Sequence, residues 1–162
     1  YFLTMLPRVS TLVLDTADLS SADNPNNNKE FVFRNVDFDR LIGEEWREFD
    51  QFNLMLVSTV FDIHGSTPTT VVPEVRLSGP PFVDPDTRGT RIFDDITVCT
   101  VDVTNIKNAP FIEYYSGMNA WTLKRDDENL FNFHFRIVNP DTGALATGSF
   151  PRQQYVFKIY KL

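Results

Sequence analysis

The sequence predicts an all-β fold, an antiparallel β-sandwich of about eight strands with one short helix. Three observations carry that prediction. Leu130–Val138 reads LFNFHFRIV, with Phe131, Phe133, Phe135 and Ile137 on one face and Asn132, His134 and Arg136 on the other, the period-2 pattern of a half-buried strand. The composition is rich in Phe, with 15 against 3 Met and 2 Trp, and thin in the strong helix formers Ala, Glu and Lys. Gly and Pro are absent between Gly43 and Gly65, between Gly89 and Pro110, and between Gly117 and Pro140, and those windows hold the three best strands.

Taken in order, Tyr1–Leu14 is apolar and β-prone, with Thr11–Asp15 as the first strand. Leu19–Lys29 (LSSADNPNNNK) is a polar, Asn-rich loop expected to be mobile, so residues 1–29 read as an N-terminal strand or arm plus loop. Alternation resumes through Phe31 and Phe33. Asp37–Gly43 is the one short helix: Asp37 caps it, Phe38, Leu41 and Ile42 share a side, and Gly43 ends it. Asn53–Phe61 is apolar on both faces, as in a central strand covered on two sides or one leaving the sheet for an interface. His64–Pro73 is a turn region, Val75–Ser78 a short strand, and Gly79–Gly89 a rigid loop punctuated by prolines. Ile96–Val103 (ITVCTVDV) is a strand, Asn105–Pro110 turns the chain, and Phe111–Tyr115 has no decided type. Trp121–Lys124 is a short strand, and Arg125–Asn129 links it to Leu130–Val138. The turn Asn139-Pro140-Asp141-Thr142-Gly143 and the alternating strand Tyr155–Tyr160 complete the pattern. Residues 1–162 read as a single domain, and the long, uneven connections favour a Greek-key jelly roll over an up-and-down barrel.

The net charge of −7 repels phosphate, so direct contact with nucleic acid or anionic lipid is disfavoured. No apolar run reaches membrane-spanning length. The lone Cys99 cannot form an internal disulfide, and no Asn-x-Ser/Thr acceptor occurs; both suit a reducing compartment during folding.

The residues of catalysis do not converge. Only His64 and His134 exist, which excludes a three-His zinc site; Asp62, His64 and His134 reverse the usual His-then-carboxylate order of a facial iron triad. There is no Gly-x-Ser-x-Gly elbow, and Cys99 falls inside a strand, where it reads as a small buried hydrophobe. The acidic pairs Glu44-Glu45, Asp94-Asp95, Asp126-Asp127 and Asp84 with Asp86 read as solvated loop charge; none has a calcium-loop spacing or places two carboxylates across a cleft. The expectation is therefore a non-enzyme without cofactor or metal.

The aromatic excess is mostly core. Trp46, Phe82, Tyr114, Tyr115, Trp121 and Tyr160 are the candidates for a subunit interface, and the tryptophans and tyrosines among them also for a sugar-stacking platform. Over Trp121–Leu162 the succession WTLKR, DDEN, LFNFHFRI, VNPDTGALATG and YVFKIYKL resembles the last strands of single jelly-roll capsid proteins, penton or minor capsid proteins, of large icosahedral double-stranded DNA viruses. WREFDQFNLMLVSTVF, Trp46–Phe61, looks like an early strand of the same layout. The resemblance implies a virion protein that forms homo-oligomers, pentamers in the penton case, and contacts other capsid proteins. The alternative expectation is a carbohydrate-binding β-sandwich module.

Overall fold

The computed structural model describes residues 9–43, 51–62, 72–83, 87–88, 91–92, 95–101, 111–115, 120–125, 128–148, 150 and 152–160. It is an antiparallel β-sandwich. The strands are β1 (Val9–Asp15), β2 (Glu30–Asp37), β3 (Gln51–Asp62), β4 (Glu74–Ser78), β5 (Thr87–Arg88), β6 (Arg91–Ile92), β7 (Ile96–Thr100), β8 (Phe111–Tyr115), β9 (Ala120–Lys124), β10 (Leu130–Val138) and β11 (Gln153–Tyr160). Helix α1 (Phe38–Ile42) follows β2. Sheet I has the order β1-β11-β3-β8, with β9 also paired to β3; sheet II has the order β2-β10-β4-β7. The two-residue strands β5 and β6 pair antiparallel in a separate sheet, β5 within the Gly79–Gly89 segment expected as rigid loop and β6 beyond it.

Phenylalanine alternation makes the core. Phe131, Phe133, Phe135 and Ile137 of β10 are all buried, as are Tyr155, Phe157 and Ile159 of β11. Rings from the two sheets meet: Phe135 stacks on Tyr155 with centroids 4.6 Å apart, and Phe133 meets Phe157 edge-on at 6.2 Å. Such pairs add about 0.5–1.5 kcal/mol each to simple burial. Phe38 closes one end, packing edge-on against Phe131 at 4.9 Å and Phe52 at 5.6 Å. Its position follows from the helix caps: the Arg40 N–H donates to the Asp37 side chain, and Gly43, at φ 87, donates its N–H to Asp39 O.

Of the three register shifts between strands among the described residues, those in β3 and β2 adjust the faces. In β3 the inward residues are Phe52, Leu54 and Leu56, then Thr59 and Phe61. The register against β11 slips there, Phe157 facing Leu56 and Val156 facing Ser58, so the extra residue Val57 switches the inward parity. This bulge is why the stretch looks apolar on both faces. In β2, Arg34 and Asn35 lie between the residues paired with Phe133 and Phe131. Asn35 takes φ 54 and donates its N–H to the Asn132 side chain, a conformation Asn tolerates better than most residues.

The Asn-rich loop, expected to be mobile, is tied down by hydrogen bonds. Asn28 at φ 65 donates its N–H to Asn24 Oδ1, and Asn28 O accepts from the buried Gln153 Nε2 at 2.5 Å. Gln153 Oε1 accepts from the Tyr155 hydroxyl at 2.6 Å, so the loop is anchored through a polar chain into the core. Burial raises the Tyr155 pKa well above its ordinary value.

Phe111–Tyr115 is a strand, set by antiparallel pairing with Ser58–Asp62. Ile96–Thr100 is the strand within the expected Ile96–Val103; Val101 next to it donates its N–H to Pro73 O, and residues 102 and 103 lie outside the described residues.

Candidate functional site

Of the aromatic residues singled out in the sequence, Phe82, Trp121 and Tyr160 have described side chains. Phe82 and Trp121 are half-buried and pack against the core. Phe82 bridges to Leu123, Val83 donates to Thr122 O, and Lys124 donates to Pro81 O, so Pro81–Val83 lines the edge of β9. Tyr160 is half-buried on β11, opposite Val9 and Asn53. Tyr114 and Tyr115 stand in β8 opposite Thr59 and Ser58; their side chains, like Trp46 and His64, lie outside the described residues. His134 faces outward from sheet II and pairs with Glu30, Nε2 to Oε1 3.1 Å, while Asp62 belongs to sheet I. His134 and Asp62 therefore sit in different layers. Among the described residues no group of three or more His, Cys, Asp or Glu could hold a metal ion.

Cys99 is buried and its thiol pKa is pushed up to about 12, because burial disfavours the thiolate. Its neighbour Thr59 has the one buried side-chain oxygen without a nitrogen or oxygen partner among the described residues; the thiol beside it offers only a weak hydrogen bond. Neither group is a nucleophile in this setting.

The concave feature lies elsewhere, on the outer face of sheet II. A cleft of about 300 Å³ opens where β4 and β10 meet the turn Asn139–Gly143. Its floor is one row across the sheet: Glu30, Arg136 and Arg76 are successive cross-strand neighbours, followed by Thr97. Two arginines side by side repel unless their charge is matched. Arg76 is matched thoroughly. Its Nη2 lies 2.6 Å from Asp95 Oδ1, its Nε 3.1 Å from Asp95 Oδ2, its Nη1 3.8 Å from Glu74, and Nη1 also donates to the Thr97 hydroxyl. Glu30, the neighbour of Arg136 on β2, spends its carboxylate on His134 and Asn26. The half-buried Arg136 guanidinium has no ion pair or hydrogen bond among the described residues.

The wall is built by turn chemistry. Asn139 Oδ1 accepts from the Asp141 N–H at 2.8 Å, and Gly143, at φ 72, donates to Asn139 O. This holds Asn139, Pro140, Asp141 and Thr142 over Arg136, with Val138 as an apolar patch. Sequence reading missed the cleft. Arg136 was legible as an outward residue, but its adjacency to Arg76 is a matter of strand register, which spans sixty positions here.

Compared with known protein-family models and with curated protein sequences, the chain matches none.

Proposed function

We propose that this chain is a structural virion protein, a jelly-roll capsid subunit of penton or minor-capsid type. It acts by associating with copies of itself and with other capsid proteins, and it carries no catalytic activity. One observation supports this above the others: the strand order β1-β11-β3-β8 packed against β2-β10-β4-β7. Strands near the two ends of the chain lie side by side, and β1, β2 and β3 alternate between the sheets, as in two interlocked Greek keys. The outward face of sheet I adds to it. Val9 and Val13 of β1 are 53% and 50% exposed, and Val156, Met55 and Val60 share that face of β11 and β3 with Lys158, Gln154, Asn53 and Ser58. β1 is also the edge strand of its sheet among the described residues, with α1 packed beside it through the Ser10 hydroxyl, which donates to Leu41 O. The resemblance of Trp121–Leu162 to capsid jelly rolls agrees with this placement.

Sedimentation and electron microscopy of the purified chain test the reading. A closed oligomer is expected, with Val13→Lys dissociating it while the melting temperature stays nearly constant. A chain that remains monomeric at high concentration, alone and with candidate shell proteins, overturns it.

A further inference from the structure

The geometry points to the cleft at Arg136 as a binding site for a small hydroxylated monocarboxylate, the chemistry of a sugar acid such as a uronic acid. The inference stands apart from assembly and rests on which groups around the cleft are already occupied. Arg76 is saturated by Asp95, Glu74 and Thr97, so it serves as a fixed floor. Arg136, half-buried beside it, has no partner for its guanidinium among the described residues and presents a planar fork suited to a carboxylate.

The remaining lining residues decide what else the ligand must carry. Asn139 uses its Oδ1 within the turn, and its Nδ2 is a donor without a partner among the described residues. The Thr142 Oγ1 accepts from the Ala144 N–H at 3.2 Å and retains its own proton to donate. The exposed Asp141 carboxylate accepts nothing among the described residues and suits a ligand hydroxyl. Donors and an acceptor alternating around one cation fit a polyol with a single acid group. Val138 and Pro140 supply the apolar strip against which a sugar ring can lie.

The same lining argues against more highly charged anions. Glu74, Asp95 and Asp141 outnumber the two arginines, and the whole chain carries −7. A phosphate dianion or an acidic peptide meets net repulsion there, whereas a monoanion meets the one unmatched cation directly. The volume of about 300 Å³ matches the lower end of small-ligand sites.

Calorimetric and NMR titration of the full chain with D-glucuronate, with glucose as its neutral counterpart, tests this. Glucuronate is expected to bind in the millimolar range, glucose not detectably, with shifts centred on Arg136, Asn139 and Asp141. Arg136→Gln is expected to lower affinity by about tenfold or more, and Arg136→Lys by less. Asn139→Asp, which keeps the turn-capping oxygen and removes the free donor, provides a second variant and is expected to weaken binding as well. Unchanged amide spectra outside the cleft show that each variant folds. Absence of glucuronate binding, equal affinity in Arg136→Gln, or binding of a hexaglutamate peptide in place of glucuronate would each overturn the inference.

Discussion

The two outward faces of this sandwich are built from opposite chemistry on a shared core. Sheet I shows solvent Val9, Val13, Val156, Met55 and Val60 among Asn53, Ser58, Gln154 and Lys158, and the Thr11 hydroxyl accepts from Lys158 Nζ at 2.7 Å. Sheet II shows Glu30 hydrogen-bonded to His134, and Arg76 ion-paired with Glu74 and Asp95, around a cleft that also holds Arg136. Inward residues cannot make this difference, because both sheets present the same Phe-rich surface to the middle. The alternate positions carry it. An aliphatic sheet face gains free energy when covered by protein, whereas a face of charges in fixed registers gains only from groups that match them. The proposed assembly surface accordingly falls on sheet I and the proposed ligand site on sheet II.

The largest expected effect tests the shared core. Phe135→Ala removes a ring that stacks on both Phe31 and Tyr155, and should cost about 3–5 kcal/mol in denaturant unfolding. A loss below about 1 kcal/mol would mean that the sheets do not meet through this ring. Next come the two arginines of sheet II. Arg76→Ala strands the mostly buried carboxylates of Glu74 and Asp95 and should cost about 2 kcal/mol, while Arg136→Ala should stay within about 0.5 kcal/mol. Equal costs would erase the distinction between a structural and a free guanidinium. Thr59→Val should act in the opposite direction, raising stability by about 1 kcal/mol because an unsatisfied buried hydroxyl is replaced by a methyl group.

The smallest effect concerns sheet I in acid. Hydrogen bonds from Arg152, the nearer at 2.5 Å, hold the Asp15 carboxyl below its ordinary value in spite of burial. The folded pKa is depressed, so the stabilisation is fully present above the unfolded value and is lost as pH falls through the folded one. Arg152→Gln should therefore lower the melting temperature near neutral pH, and the gap to wild type should close as both are acidified below about pH 4. Arg152 is largely exposed, which limits the effect to under about 1 kcal/mol. A gap that widens on acidification would reverse the assignment.

Much of the sandwich was written in local patterns. Side-chain period 2 placed β10 and β11, and Asp37 and Gly43 marked both ends of α1, because a cap is a short-range hydrogen bond. What stayed hidden depends on partners far away in the chain. Phe111–Tyr115 is defined as a strand by β3, and the Val57 bulge is visible only against β11. The firmness of the Asn-rich loop comes from Gln153, more than a hundred residues later. The cleft was illegible for the same reason: nothing near Arg136 in sequence announces Arg76, and nothing near Arg76 announces that Asp95 will satisfy it.

The seat of β11 also has a consequence for how the protein comes into being. This strand sits between β1 and β3 in sheet I, so neither can complete its pairing until Gln153–Tyr160 has been synthesised. At about 5–20 residues per second, β1 waits on the order of ten seconds for the segment that completes its ladder. During that interval Leu12, Leu14, Phe52 and Leu54 belong to strands with a missing centre. The nascent chain is then a natural client for chaperones, and translation stopped before Gln153 would release a product with an open sheet.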